Sequence, residues 1–188
     1  MRFLRRAAGL IFAAGLLGLA VPGSGAAGPR EQSATLTVSS PSFAPGSAIP
    51  REFTCEGSDS SPALHWTNPP SGTKSLALIM DDPDAPAGTW VHWVVFNIPA
   101  EARELPADTA KDGELPNGAR QGQNSFERLG YGGPCPPPGS AHRYLFKVYA
   151  LDSKLDLRSG SSKAELENAM KDHTLARGDL MGRYKRSR

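Results

Sequence analysis

The sequence predicts a mostly β, single-domain protein, and three observations carry that prediction. Apolar runs of strand length stand at Ser75–Met80, Val91–Ile98 and His142–Leu151. The 20 glycines and 17 prolines are scattered along the 188 residues rather than pooled in one tract, as in a chain of short elements joined by rigid turns. One segment alone has a clear helical signature, and neither βαβ alternation nor a solenoid repeat is present.

The chain opens with a different kind of segment. Arg2, Arg5 and Arg6 precede the apolar run Ala7–Val21, which gives way to the small residues Pro22–Ala27. A basic start, a short apolar stretch and small residues form the pattern of a secretory signal peptide, expected over residues 1–27, and the run is short for a bilayer span. A flexible start to the mature chain follows at 28–34, and the domain proper spans 35–188. The expected location is periplasmic or secreted, with no membrane span once the signal is removed. Residues 1–26 hold three arginines and no acids, so the formal charge of +2 becomes −1 for the remainder, 18 basic against 19 acidic residues. Nucleic-acid binding thereby loses its electrostatic support.

Within the domain, Thr35–Ser39 alternates as a strand should. The runs at 75–80, 91–98 and 142–151 have apolar residues on both faces, which predicts central strands covered on both sides. Ser162 and Glu165 form a capping-box pair, and Leu166, Ala169, Met170 and His173 follow at helical spacing. Leu180–Tyr184 reads as a final short strand. Cys55 and Cys135 are an even pair in an exported chain, which favours a disulfide. Closing so long a loop would contribute about 4–5 kcal/mol in the chain-entropy model. A metal site is the weaker reading, because neither cysteine has a second at close spacing.

Two loops concentrate the chemistry. Asp82-Pro83-Asp84-Ala85-Pro86 leads to Trp90-Val91-His92-Trp93, and Gly130–Ala141, with seven prolines and glycines in succession broken only by Cys135, leads to His142-Arg143-Tyr144. The prolines fix φ and stiffen both loops. By simple alternation His92 shares a strand face with Val94 and Phe96, and His142 shares one with Tyr144 and Phe146. Of Asp82 and Asp84, one is suited to cap turn amides and the other to reach a ligand or histidine. Gly130, Gly132, Gly133 and Gly139 permit amides to converge as an anion-binding nest. Trp90 and Trp93 supply an apolar lip. A lone histidine at a strand start is more often structural than functional, and so His65 and His173 are read. Two in similarly rigid loops point to one shared pocket for a small anion.

These segments resemble the two conserved regions of the phosphatidylethanolamine-binding protein family, in particular its bacterial Raf kinase inhibitor-like branch. Phe53–Gly57, Ser60–Trp66 and Leu180–Tyr184 are similar to that branch as well. The resemblance implies a large central, antiparallel-rich sheet, a smaller second sheet and one or two short helices. It implies a pocket for phosphate-like anions and phospholipid head groups, lined by Asp82, His92, His142 and Tyr144. Pro86, Trp90, Pro136 and Pro137 would shape the rim, and Asp84 would brace the loop. Animal members carry a further C-terminal helix with a pocket tyrosine, and none is expected after Tyr184, so neither its lid nor kinase inhibition is carried over.

The leading expectation is thus an exported binding protein, not an enzyme, for a small anionic or phosphorylated ligand, with neither metal nor cofactor. His92 and His142 would donate to the anion, and Asp82 would orient an imidazole and favour its charged form. An alternative is an interaction module that inhibits a protease or kinase through an unidentified protein partner. A hydrolase using Asp82, a histidine and Ser125 or Ser140 lacks any nucleophile-elbow sequence.

Overall fold

The computed structural model describes residues 34–187. The signal peptide expected at 1–27 and all but the last residue of the flexible segment expected at 28–34 lie outside them. The described chain is dominated by strands. A six-stranded sheet has the order β1 (Ala34–Thr35), β9 (Thr174–Tyr184), β8 (His142–Leu151), β4 (Ser75–Asp82), β5 (Trp90–Pro99) and β7 (Arg120–Gln121). A smaller sheet pairs β2 (Val38–Ser39), β3 (Leu64–Trp66) and β6 (Glu104–Leu105). Every pairing is antiparallel except β1 with β9.

Two cores explain why β4 is buried along its whole length. Its Leu76, Leu78 and Met80 join Trp93, Tyr144 and Phe146 in a core shared with Val38, Leu64 and Trp66 of the small sheet. Its Ala77 and Ile79 face the other way, with Val94 and Phe96, under Leu166 of the helix and Met170 at its C-terminal cap. Helix α1 (Lys163–Ala169) starts with the expected capping box: Glu165 N–H donates to Ser162 Oγ at 3.2 Å and Ser162 N–H to Glu165 Oε2 at 2.7 Å. It stops short of His173, because the chain turns through Asp172 at φ 65°. Lys163 reaches the buried carboxylate of Asp81 at 2.7 Å, and Lys147 reaches it at 2.9 Å, so a charge cluster pins the helix to the end of β4. Among the described residues, no helix is long and apolar enough to cross a membrane.

Three local expectations are corrected. Thr35–Ser39 is not one strand: the chain passes from the large sheet at Ala34–Thr35, where Ala34 already pairs with Ala176, to the small sheet at Val38–Ser39. Gly178 makes that crossing feasible, since a Cβ there would lie 2.0 Å from the Leu36 carbonyl oxygen. The last strand is longer than Leu180–Tyr184, running from Thr174 through Gly178 and Asp179, residues whose low strand propensity concealed it.

The third correction decides the site. Met80 pairs with Trp93 and Asp81 with Val91, so His92 is the extra residue of a β-bulge. Alternation fails there, and His92 leaves the face of Val94 and Phe96 to lie edge-on against Tyr144, ring centroids 5.1 Å apart. His142 keeps the expected face with Tyr144 and Phe146. The end of β4 and the starts of β5 and β8, neighbours in the sheet, thereby bring Asp82, His92 and His142 to one end of it.

Candidate functional site

A cavity of about 340 Å³ opens at that end of the sheet. Asp82, Pro86, Trp90, His92, Pro136, Pro137 and His142 line it, so residues from two loops about fifty positions apart do meet. Ala85, Ala87, Phe126 and Cys135 complete the wall. Tyr144 is brought alongside but does not line the cavity: it is fully buried behind His92, and its hydroxyl has no hydrogen-bond partner among the described residues. Burial, followed by the nearby Asp82 charge, raises its phenol well above the ordinary value.

Each imidazole is held by its Nδ1 atom. His142 Nδ1 donates to Asp82 Oδ2 at 2.8 Å, and both side chains are buried. His92 Nδ1 donates to the carbonyl oxygen of Gly132 at 2.6 Å. A carboxylate and a carbonyl can only accept, so both Nδ1 atoms carry hydrogen and each Nε2 is the ring nitrogen left for the cavity. A neutral ring then offers Nε2 as an acceptor; donation to an anion requires the imidazolium. Burial pushes His92 below its ordinary value, outweighing the opposing pull of the Gly132 carbonyl and the Asp82 charge. The expectation that both histidines donate therefore requires proton uptake when an anion binds.

The aspartates divide the work. Asp82 Oδ1 accepts the Asp84 N–H at 2.8 Å, closing the turn, while Oδ2 holds His142. Asp84 braces the loop against β8, accepting from Arg143 N–H at 2.9 Å and from its guanidinium at 2.6 Å. That guanidinium holds the Asp84 carboxyl down at about 2.

Some expected parts serve otherwise. Trp93 is no lip; it is buried, donates to Gln121 Oε1 at 2.7 Å and packs edge-on against Tyr131. Nor do the glycine amides form a nest. Gly132 N–H donates to the His92 carbonyl at 2.9 Å and Gly133 N–H to Asp59 Oδ1 at 2.6 Å. These glycines permit close packing: a Cβ on Gly132 would meet the Phe126 ring at 2.7 Å, and one on Gly133 the Phe53 carbonyl oxygen at 2.5 Å. The Cys55–Cys135 disulfide is formed, across a sequence separation of 80. Ser125 Oγ accepts the Val91 N–H at 2.9 Å, and Ser140 lies outside the wall. His65 and His173 pair with Glu104 and Asp152, partly exposed and away from the cavity. Among the described residues no group of three or more His, Cys, Asp or Glu side chains is gathered as a metal site requires.

Phe126 is the main residue that sequence reasoning missed. It packs edge-on against both Trp90 and His92, ring centroids 5.4 Å away in each case. Its only sequence signal is isolation, one aromatic in the polar stretch Gln121–Arg128.

Comparison with known proteins agrees with this fold. Residues 39–185 match the family model described as phosphatidylethanolamine-binding protein. A UPF0098 protein of Aquifex aeolicus is 50% identical over 155 residues, covering 81% of this chain and 90% of that protein. The UPF0098 protein YbcL of Escherichia coli is 45% identical over 137 residues, covering 70% of this chain and 75% of YbcL. The crystal structure of YbcL, presented as a new member of the mammalian PEBP family, superposes with a TM-score of 0.77 at 39% identity, covering 82% of this chain and 100% of that one.

Proposed function

The chain belongs to the phosphatidylethanolamine-binding protein family, and from that premise we propose an exported, non-catalytic binding protein whose cavity takes a small phosphate-bearing anion such as a phospholipid head group. The observation that carries this reading is the pair of imidazoles, each tied at Nδ1, with both Nε2 atoms left to one small cavity. In the bound state His142, with the Asp82 carboxylate as counter-charge, donates through Nε2 to one phosphate oxygen. His92 takes up a proton and donates through Nε2 to a second oxygen. Trp90, Phe126, Pro86 and Pro137 pack against whatever the phosphate carries.

Export rests on the signal-peptide pattern of residues 1–27, and a formed disulfide suits an oxidising compartment. Binding without turnover is the reading carried from the sequence, in which no nucleophile-elbow motif supports a catalytic serine. The test is calorimetric titration with phosphoethanolamine at about pH 5.5 and about pH 7.5, either side of the ordinary histidine value. The expected result is tighter binding at the lower pH, abolished by His92→Ala and by His142→Ala. Equal affinity at both pH values overturns the reading, as does binding that survives both substitutions. A folded protein that ignores phosphoethanolamine moves the protease- or kinase-inhibiting module ahead.

A further inference from the structure

We propose that the Cys55–Cys135 disulfide is a site of thiol–disulfide exchange that latches the cavity wall, so that reduction by a small or protein thiol loosens Cys135–Ala141 and weakens ligand binding. The ligand part rests on the proposed function; the latch does not. Cys135 lies in the cavity wall and is followed there by Pro136 and Pro137. The chain on either side is fastened. Upstream, Gly133 N–H is bonded to Asp59 and the Pro134 carbonyl accepts Cys55 N–H at 3.2 Å; downstream, His142 pairs with Tyr184. Among the described residues, no hydrogen bond holds Cys135–Ala141 between those points. Three of its residues are prolines, with no amide to donate, and Pro137–Ala141 is exposed. Prolines stiffen the segment without tethering it. Burial of Pro136 and the covalent bond from Cys135 are what keep it against the cavity.

The two cysteines differ in exposure. Cys55 is exposed and sits on a fastened turn, where Thr54 N–H donates to Arg51 at 3.1 Å and Gly57 N–H to Thr54 at 2.9 Å. Cys135 is half-buried. A thiolate RS⁻ attacks Cys55 Sγ, the S–S bond breaks, and Cys135 leaves as a thiolate that takes a proton. A second thiolate attacks the outer sulfur of the RS–Cys55 mixed disulfide, releasing RSSR and the Cys55 thiolate, which is also protonated. The protein gains two electrons and two protons from two thiols. The anchored turn stays in place while the wall loses its tether.

The experiment uses ¹⁵N-labelled protein, oxidised and then reduced with dithiothreitol. Heteronuclear NOEs at the Gly139, Ser140 and Ala141 amides report order in the segment, and amides of β4 and β8 report the fold. Phosphoethanolamine affinity is measured on the same samples. The expected result is a drop in NOE confined to Gly139–Ala141, with affinity at least about ten-fold weaker and restored on reoxidation. A folded reduced protein with unchanged NOEs overturns the latch, and so does an unchanged affinity. Should reduction unfold the chain, the C55A/C135A double variant repeats the measurement, and its unfolding as well makes the bond a fold staple and overturns the proposal. If the oxidised protein ignores phosphoethanolamine, the anion reading fails and the amide data alone decide the latch.

Discussion

The carboxylate of Asp82 links its own turn to an imidazole sixty residues away: Oδ1 accepts the Asp84 N–H and Oδ2 the His142 Nδ1–H, each at 2.8 Å. Asp82→Asn keeps the first bond but offers an amide N–H to the second, so His142 must present Nδ1 as an acceptor and move its proton to Nε2. Removing the counter-charge disfavours the imidazolium. Phosphoethanolamine affinity is expected to fall roughly ten-fold at about pH 5.5 and much less at about pH 7.5, flattening the pH dependence. Loss of a buried charge-assisted bond should also cost about 1–3 kcal/mol in denaturant unfolding. An unchanged pH profile would dissociate Asp82 from the histidine's charge.

His92 links pH to stability as well as to binding. Burial holds it below its ordinary value of 6.5, so the unfolded chain binds this proton more readily than the folded one. Its stability contribution is intact above about pH 6.5 and is lost as pH falls from there toward the folded-state value, by at most about 1.4 kcal/mol per pH unit. Denaturant midpoints measured across that window should drop on acidification, and His92→Gln should reduce the slope. An anion at Nε2 reverses the preference. Binding by the wild type should therefore take up a proton, seen as a binding enthalpy that changes with the ionisation heat of the buffer.

The division between what sequence revealed and what it hid is physical. The fold class was legible because β4 and β5 carry apolar residues on both faces, as strands between two cores must, while β8 is covered fully on one face and only half-buried at Leu145, Lys147 and Tyr149 on the other. The capping box marked the helix start, and the even cysteine pair marked the disulfide. Asp82, His92 and His142 were legible as a set because each stands where a rigid loop meets a strand. The side-chain direction of His92 was not, since a bulge is a property of pairing between strands and leaves no period in either one. Phe126 was hidden because it reaches the site through long-range packing, and the glycine amides were misread because their partners, Asp59 and the His92 carbonyl, are remote in sequence.

Asp84 and Arg143 separate loop order from stability. Their pair is partly exposed, so its direct contribution is within about 1 kcal/mol. It nonetheless spans from the loop carrying Pro86 to the strand carrying His142. Asp84→Ala should barely move the denaturant midpoint, yet weaken phosphoethanolamine binding several-fold by loosening the Asp82–Trp90 loop. Because the Asp84 carboxyl titrates at about 2, the pair stays charged throughout the histidine window, and the pH profile of binding should keep its shape in this variant. A changed profile would mean that Asp84 acts on the histidines directly.

Gly132 and Phe126 offer a test of how the wall is packed. A methyl at Gly132 would meet two Phe126 ring carbons at 2.7 and 2.9 Å, so Gly132→Ala must displace the ring that packs against Trp90 and His92. The expected cost is about 1–3 kcal/mol of stability, typical of overpacking, with roughly ten-fold weaker phosphoethanolamine binding. Phe126→Ala removes the ring and also weakens binding, but it clears the space. In that background Gly132→Ala should cost much less than it does alone, giving a coupling energy of about 1 kcal/mol or more in a double-mutant cycle. Additive effects would show that the cost of Gly132→Ala comes from other neighbours, such as the Asn124 amide 3.4 Å from the added Cβ, and not from the ring that closes the wall.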